Sequence, residues 1–280
     1  MKTRHTAVWV GLTAATLLAT SACGTNSART AAKAVDGADR IMAALQLATK
    51  RTENLGSAEV RVSTDMGSGK PPITMEGTYS WGDGFAFDAE MDTKQAQMQT
   101  LTSSPKVRVL FVGGAYYYRV GPQPSGPLKG KEWMKIDGSA VFGEKGAQAM
   151  ATGGGASPVD SMKYLRYADH ATDLGEQTVD GQRTSHYRAV IKASQMGKFK
   201  DALSDKKGAF GSLAGPDGSM TVDIWLNGKD LPVRLKEDVG IGTVTMDFEK
   251  FGRTAAVAAP PAAQTGDLTE LVKNARARKQ

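Results

Sequence analysis

Hydrophobic and polar residues alternate along most of the chain after Gly56. In the first such segment, Val60 and Val62 alternate with Glu59 and Arg61. A period of two is typical of a β-strand with one buried and one solvated face. Ten segments follow this pattern, and they read AEVRVSTDM, ITMEGTYSW, FAFDAEM, VRVLFVG, AYYYRV, EWMKI, TSHYRAVI, SMTVDIWL, LPVRLKED and GTVTMDFEKFG. The sequence therefore predicts about ten strands.

Turn-forming dipeptides separate several of these segments. Asp-Gly and Asn-Gly pairs between alternating runs indicate β-hairpins, because both residues tolerate the left-handed backbone that a two-residue turn requires. The pairs are Asp83-Gly84, Asp137-Gly138, Asp180-Gly181, Asp217-Gly218 and Asn227-Gly228, and Gly113-Gly114 is placed in the same way. Together the segments and turns predict an antiparallel sheet with one apolar face.

A helical period precedes the strands. Between Asp36 and Leu55 the apolar residues recur at spacings of three and four, and Gly56 ends the run. Two further helices are predicted, in PVDSMKYLRYA after Ser157 and in QMGKFKDALSDKK after Ser194. A short basic helix, ELVKNARARK, closes the chain, and Asp267 with Glu270 predicts a capping box at its start.

The N-terminus has the pattern of a secretory signal. Lys2 and Arg4 precede an uncharged, weakly apolar run from Ala7 to Ala19. This run is shorter than the roughly 20 residues that a membrane-spanning helix needs. A short apolar stretch after a positive segment and before small residues is typical of a signal peptide, which we predict for residues 1–22.

The chain's one cysteine follows that segment. The sequence Thr20-Ser21-Ala22-Cys23-Gly24 resembles the lipobox of bacterial lipoproteins, with Thr20 at a position where Leu is usual. The resemblance implies that Cys23 becomes a diacylated, palmitate-bearing N-terminus that anchors the protein to the outer face of the cell membrane. The alternative is an ordinary thiol near a secretory cleavage site. We expect residues 23–35, which are small and polar, to form a tether, and residues 36–280 to form a single domain.

Composition and charge exclude several classes of protein. With 40% hydrophobic and 23% charged residues, the chain is too apolar for a disordered protein and too polar for a protein with many membrane spans. One cysteine and three histidines, of which His5 is near the terminus, argue against disulfides and a zinc site. The net charge of +6 is spread out, which argues against nucleic-acid binding. We expect no metal and no cofactor.

No motif for catalysis is present. The sequence lacks G-x-S-x-G, H-E-x-x-H and a complete P-loop. His186 lies within a predicted strand, where a packed or hydrogen-bonded histidine is expected, and His170 forms no recognisable triad. The paired carboxylates Asp88/Glu90 and Glu237/Asp238 are expected on a solvated strand face. We therefore predict that the protein is not an enzyme.

One group of aromatic residues leaves two interpretations open. Tyr116, Tyr117 and Tyr118 with Trp133 could form a platform for a carbohydrate or a lipid. They could equally be ordinary strand aromatics that are divided between the two faces of the sheet.

Three segments resemble the LolA-like envelope lipoproteins of the LppX/LprG type. The sequence GEQTVDG followed by TSHY at Gly175–Tyr187 is similar to a G-E-x-x-V-D-G-x-x-T-x-H-Y segment of that family. The hairpin Asp223–Leu235 is similar to its W-x-D-x-x-G-L-P-x-R hairpin, and Phe248–Gly252 with Pro260-Pro261 is similar to its closing strand and exit. The resemblance covers essentially the whole mature chain.

The resemblance implies an α+β fold, a strongly curved antiparallel half-barrel whose concave face is covered by helices. It also implies an apolar cavity for the acyl chains of lipids or lipoglycans, which the protein carries or presents in the envelope. Alternation selects the strand residues that face this cavity, and they are Met75, Phe85, Phe87, Val109, Phe111, Val222, Ile224, Met246 and Phe248. The apolar faces fit equally well a filled core, and then the protein would be a non-enzymatic envelope module that contacts another protein.

Overall fold

The fold is taken from a computed structural model of the chain. It describes residues 24–67, 69–151, 157–168, 171–192, 219–240, 242–252 and 256–278. The predicted signal peptide, Cys23, His170 and the helix predicted after Ser194 lie outside the described residues. The chain divides into two units, Met1–Gly37 and Ala38–Gln280.

The described residues form four α-helices and twelve strands. The helices are α1 (Gly24–Leu55), α2 (Gly138–Ala151), α3 (Pro158–Tyr164) and α4 (Thr269–Ala277). The strands are β1 (Ser57–Asp65), β2 (Ile73–Ser80), β3 (Ala86–Asp92), β4 (Lys106–Val112), β5 (Ala115–Arg119), β6 (Trp133–Asp137), β7 (Ala171–Val179), β8 (Gln182–Lys192), β9 (Ser219–Asn227), β10 (Pro232–Asp238), β11 (Thr243–Glu249) and β12 (Thr265–Asp267).

All twelve strands belong to one curved, unclosed sheet. Its order is β12-β6-β5-β4-β3-β2-β1-β11-β10-β9-β8-β7, so two meanders, β1–β6 and β7–β11, meet where β1 pairs with β11. All pairs are antiparallel except β12, which runs parallel to β6. The predicted fold class, an α+β antiparallel half-barrel with helices on its concave face, is confirmed.

The predicted hairpins are found where the dipeptides can adopt left-handed backbone. Gly113 and Gly114 join β4 to β5 with φ angles of 60° and 79°, and Asp180 and Gly181 join β7 to β8 with 48° and 75°. Two consecutive positive φ angles match the right-handed twist of the flanking strands. The pair Asp137-Gly138 is different, because α2 begins there instead of a returning strand. Asp217-Gly218 lies outside the described residues.

The helix predicted at Asp36–Leu55 is longer than expected. Since α1 begins at Gly24, the segment predicted as a tether has helical backbone. Its composition explains the difference, because several alanines and no proline favour a helix over coil. The predicted helix after Ser157 is confirmed as α3, with the Ser157 side chain accepting a hydrogen bond from the Val159 N–H.

The capping box at the start of α4 does not form as predicted. The Asp267 carboxylate accepts a hydrogen bond from the Thr269 N–H at 2.9 Å, but the helix begins only at Thr269. Asp267 instead belongs to β12, where it pairs with Lys135. The C-terminal segment is therefore held to the sheet edge by a short parallel strand before the helix starts.

One glycine permits the two neighbouring strands β2 and β3 to approach closely. A Cβ atom added at Gly77 would lie 2.2 Å from the Asp88 carbonyl oxygen and 2.5 Å from the Ala89 Cα. No real side chain tolerates such distances, so any other residue would force the strands apart.

Candidate ligand-binding site

The nine residues predicted to line a cavity lie together on the apolar face of the sheet, which we call the inner face. All nine belong to one hydrophobic cluster, in which seven are buried and Met75 and Phe85 are partly buried. The strand pairing explains their proximity, because Phe87 lies opposite Phe111 and Met246 opposite Val62. Their role in lining a ligand cavity remains a prediction.

Aromatic rings form a continuous array across the β2–β5 part of the inner face. Tyr79 stacks on Phe87 with ring centroids 5.1 Å apart, and Phe87 stacks on Phe111 at 5.8 Å. Phe111 contacts Tyr116 at 4.8 Å, and Tyr116 stacks on Tyr118 at 6.2 Å. Offset and tilted aromatic pairs of this kind stabilise a surface beyond the area they bury.

A cavity of about 620 Å³ lies at one end of this array. Phe85 and Phe111 line it together with Leu55 at the end of α1 and Val257 in the C-terminal segment. Much of the remaining wall is glycine backbone in the turns between strands. Two of the nine predicted residues, Phe85 and Phe111, therefore line this cavity.

Two helices cover the inner face. Leu45 and Ala48 of α1 and Met162 of α3 are buried in the same cluster as the strand residues. Trp81, just after β2, fixes α1 by donating a hydrogen bond from Nε1 to the Thr52 carbonyl oxygen at 2.9 Å. A groove of about 410 Å³ runs between α1 and α3. The covering helices thus leave space beside them.

One carboxyl group interrupts the apolar inner face. Glu237 in β10 is 7% exposed, lies opposite Val222 and Val244, and has one oxygen without a hydrogen-bond partner. Burial raises the pKa of Glu237 to about 7, although a hydrogen bond from Ser161 on α3 acts in the opposite direction. The prediction that Glu237 lies on a solvated face is wrong. In the sequence, Glu237 falls at the same alternate positions as the apolar Val233 and Leu235, and this pattern predicts that its side chain faces the core.

His186 lies on the opposite, polar face, which we call the outer face. Its Nε2 is 2.7 Å from Asp223 Oδ1, and its ring stacks on Trp225 with centroids 4.1 Å apart. Arg188 donates to the same carboxylate at 2.8 Å. The prediction of a packed, hydrogen-bonded strand histidine is confirmed.

The aromatic run in β5 is divided between the two faces. Tyr116 and Tyr118 belong to the inner cluster, whereas Tyr117 lies opposite Lys135. Trp133 is in phase with Lys135, and Arg108 lies over its ring at 5.9 Å from the centroid. A single aromatic platform made of all four residues is therefore not formed.

Neither a metal cluster nor a membrane-spanning helix is found in the described part of the chain. No three His, Cys, Asp or Glu side chains there lie together as a metal site would require. No helix within the same residues is long and apolar enough to cross a membrane.

Comparison with known proteins gives one relative by sequence and several by structure. No protein-family model matches the chain. A Streptomyces coelicolor protein named "Putative lipoprotein SCO4650" is 26% identical over 241 residues, which cover 82% of this chain and 75% of that protein. The crystal structure of LprF from Mycobacterium bovis is similar at 15% identity and a TM-score of 0.46, covering 79% of this chain and 97% of LprF.

LppX from Mycobacterium tuberculosis is similar at 14% identity and a TM-score of 0.49, covering 79% of this chain and 99% of LppX. The structural neighbours are of the LppX/LprG type.

The buried carboxyl predicts a pH-dependent stability. Because the pKa of Glu237 is raised from 4.5 to about 7 on folding, the folded state holds its proton more tightly than the unfolded state. The free energy of unfolding should therefore fall as the pH rises from about 4.5 to about 7 and level off above. Glu237→Gln should remove this slope and raise stability at pH 7.5, measured by urea unfolding at several pH values.

Glu249→Gln is the matched control, because Glu249 is exposed on the neighbouring strand β11. Asp160, whose pKa burial raises to about 6, contributes a slope of the same sign in every variant. The difference between wild type and variant therefore isolates Glu237. A Glu237→Gln curve parallel to the wild-type curve between pH 4.5 and 7 would contradict the burial argument.

Proposed function

We propose that this protein is an envelope lipoprotein that binds acyl chains of lipids or lipoglycans along the inner face and carries or presents them. The observation that supports this most directly is the aromatic array, which leads from the buried inner face to the cavity lined by Phe85 and Phe111. Acyl chains gain about 0.8 kcal/mol for each methylene group removed from water, so an apolar surface suffices for tight binding.

Membrane attachment through Cys23 is the second part of the proposal. A lipidated cysteine would hold the domain at the outer face of the cell membrane, where acyl lipids are available. The lipobox-like sequence and the lipoprotein name of the Streptomyces coelicolor relative support this address. Neither part requires a catalytic group, a metal or a cofactor, and we propose no enzymatic activity.

A non-enzymatic envelope module that contacts another protein is the competing function. The burial of seven of the nine predicted residues favours it, because a filled core leaves no room for a ligand unless the helices move. The two functions make different predictions for the end of the array beside the cavity, where Phe85 is only partly buried. The first function requires an acyl chain to bind there, and the second does not.

Phe85→Glu tests the acyl-binding proposal. A carboxylate in the wall of the cavity would lose its hydration when an acyl chain enters, so we expect at least about a tenfold loss of affinity. Because Phe85 is partly buried, the melting temperature should fall by only a few degrees. The affinity is measured by titration of purified mature protein with a fluorescent fatty-acyl probe.

Val190→Glu is the matched control, because Val190 is 48% exposed in β8, which lies next to the edge strand β7. It adds the same charge without entering the cavity and should leave probe affinity unchanged. Equal affinity in wild type, Phe85→Glu and Val190→Glu would contradict acyl binding at this end of the inner face. A wild type that retains no probe would favour the filled-core module.

Cys23→Ser tests the anchor. Without the thiol no diacylglyceryl group can be attached, so the protein should move from the membrane fraction to the soluble secreted fraction. Fractionation followed by immunoblotting measures the distribution, with Ser27→Ala as a neighbouring control. If the Cys23→Ser protein stays with membranes after a salt wash, the anchor is not at Cys23.

A further inference from the structure

Three tyrosines lie among the phenylalanines on the β2–β5 part of the inner face. Tyr79 in β2 is 4% exposed, and Tyr116 and Tyr118 in β5 pack against the same cluster while keeping some accessible surface. Phe87 and Phe111 lie between them. Phenylalanine would pack equally well at these positions, so the three hydroxyl groups need an explanation of their own.

These hydroxyl groups lack partners within the described residues. The Tyr79 hydroxyl is fully buried and forms no hydrogen bond. The described residues also make no hydrogen bond to the hydroxyl of Tyr116 or Tyr118. A buried phenol without a partner destabilises the folded state, because it loses the hydrogen bonds that water provides in the unfolded chain. The buried Tyr79 hydroxyl on β2 and the two partly accessible hydroxyls on β5 therefore leave hydrogen-bonding capacity unused on the inner face.

The three phenols stay protonated and can therefore donate hydrogen bonds. Burial raises the pKa of Tyr118 to about 12, and raises the pKa of Tyr79 and Tyr116 further. All three therefore keep their protons at neutral pH. A protonated phenol donates well to an oxygen acceptor such as a carbonyl.

The charges around the array disfavour an anionic ligand. In β1–β5 every Lys and Arg lies in phase with the outer face, where Arg108 pairs with Asp88 and Lys106 with Glu90. The inner face of β10 adds the carboxyl group of Glu237. A carboxylate ligand would therefore find donors but no cation on these strands, and its desolvation would not be compensated.

We propose that the hydroxyl groups of Tyr79, Tyr116 and Tyr118 donate hydrogen bonds to uncharged oxygen acceptors of the bound lipid, with Tyr79 on β2 and the other two on β5 contacting different acceptors. An ester carbonyl has this chemistry, so the site prefers esterified acyl chains to free fatty acids and to plain hydrocarbons. This inference rests on the proposed function, since it concerns the specificity of the same acyl site.

The test compares three fluorescent probes of equal chain length: a pyrene-labelled alkane, the corresponding fatty-acid methyl ester and the free fatty acid. Wild-type mature protein should bind the ester about five- to tenfold more tightly than the alkane, as expected for a hydrogen bond made in an apolar site. Single Tyr116→Phe and Tyr118→Phe exchanges should lower ester affinity toward that of the alkane and leave alkane affinity unchanged.

Tyr117→Phe is the matched control, because Tyr117 lies between the two on the outer face. It should change no affinity. Tyr79→Phe should also weaken ester binding, and its melting temperature should equal or exceed that of wild type, because the exchange removes an unpartnered hydroxyl. A clear loss of thermal stability in Tyr79→Phe would mean that the hydroxyl already has a protein partner, and would overturn the inference.

The failure of this inference can be distinguished from the failure of the proposed function. Equal binding of ester and alkane, unchanged by the tyrosine exchanges, overturns the hydroxyl recognition while acyl binding stands. Tighter binding of the fatty acid than of the ester overturns the preference for an uncharged acceptor. Binding of none of the probes overturns both.

Discussion

The pairing of β1 with β11 is the contact on which the rest of the sheet depends. It joins two meanders that otherwise share no strand pair, over seven matched positions from Glu59–Glu249 to Asp65–Thr243. It also brings Val60 opposite Phe248 and Val62 opposite Met246, so the apolar faces of the two halves become continuous. A continuous apolar face of this size must be covered, and α1 and α3 supply the cover.

The alternation pattern predicts most of this arrangement because side-chain direction in a strand follows sequence position directly. All ten predicted strands are found, and the nine residues selected by phase lie in one cluster. Pairing order is not encoded in the pattern. The adjacency of β1 and β11 depends on contacts between residues that are distant in sequence, and it became evident only from the structure.

The elements that were missed share a weak local signal. β7 is exposed along almost its whole length, so it shows no alternation of apolar and polar residues. β12 has only three residues and is defined by its contact with β6. α2 is rich in glycine and is interrupted at Gly143, where φ is 76°, so its sequence resembles a loop. Glu237 is buried because it shares the alternate positions of Val233 and Leu235, whereas its charge alone predicts an exposed side chain.

Polar groups on the inner face connect the fold to the proposed function. A core that only stabilised the sheet would gain nothing from an orphan carboxyl oxygen at Glu237 or an orphan hydroxyl at Tyr79. Each of these atoms lowers the stability of the folded protein, and a ligand with matching polar atoms would remove that loss. The aromatic array and the cavity at its end give such a ligand an apolar path across β2–β5, the strands that carry Tyr79.

Native mass spectrometry of the mature protein, purified without detergent from a bacterial host, tests acyl binding most directly. The account predicts a population heavier than the polypeptide by the mass of one lipid, released on collisional activation and reduced by Phe85→Glu. A single species at the polypeptide mass, which remains after incubation with vesicles that contain acyl esters, would contradict it.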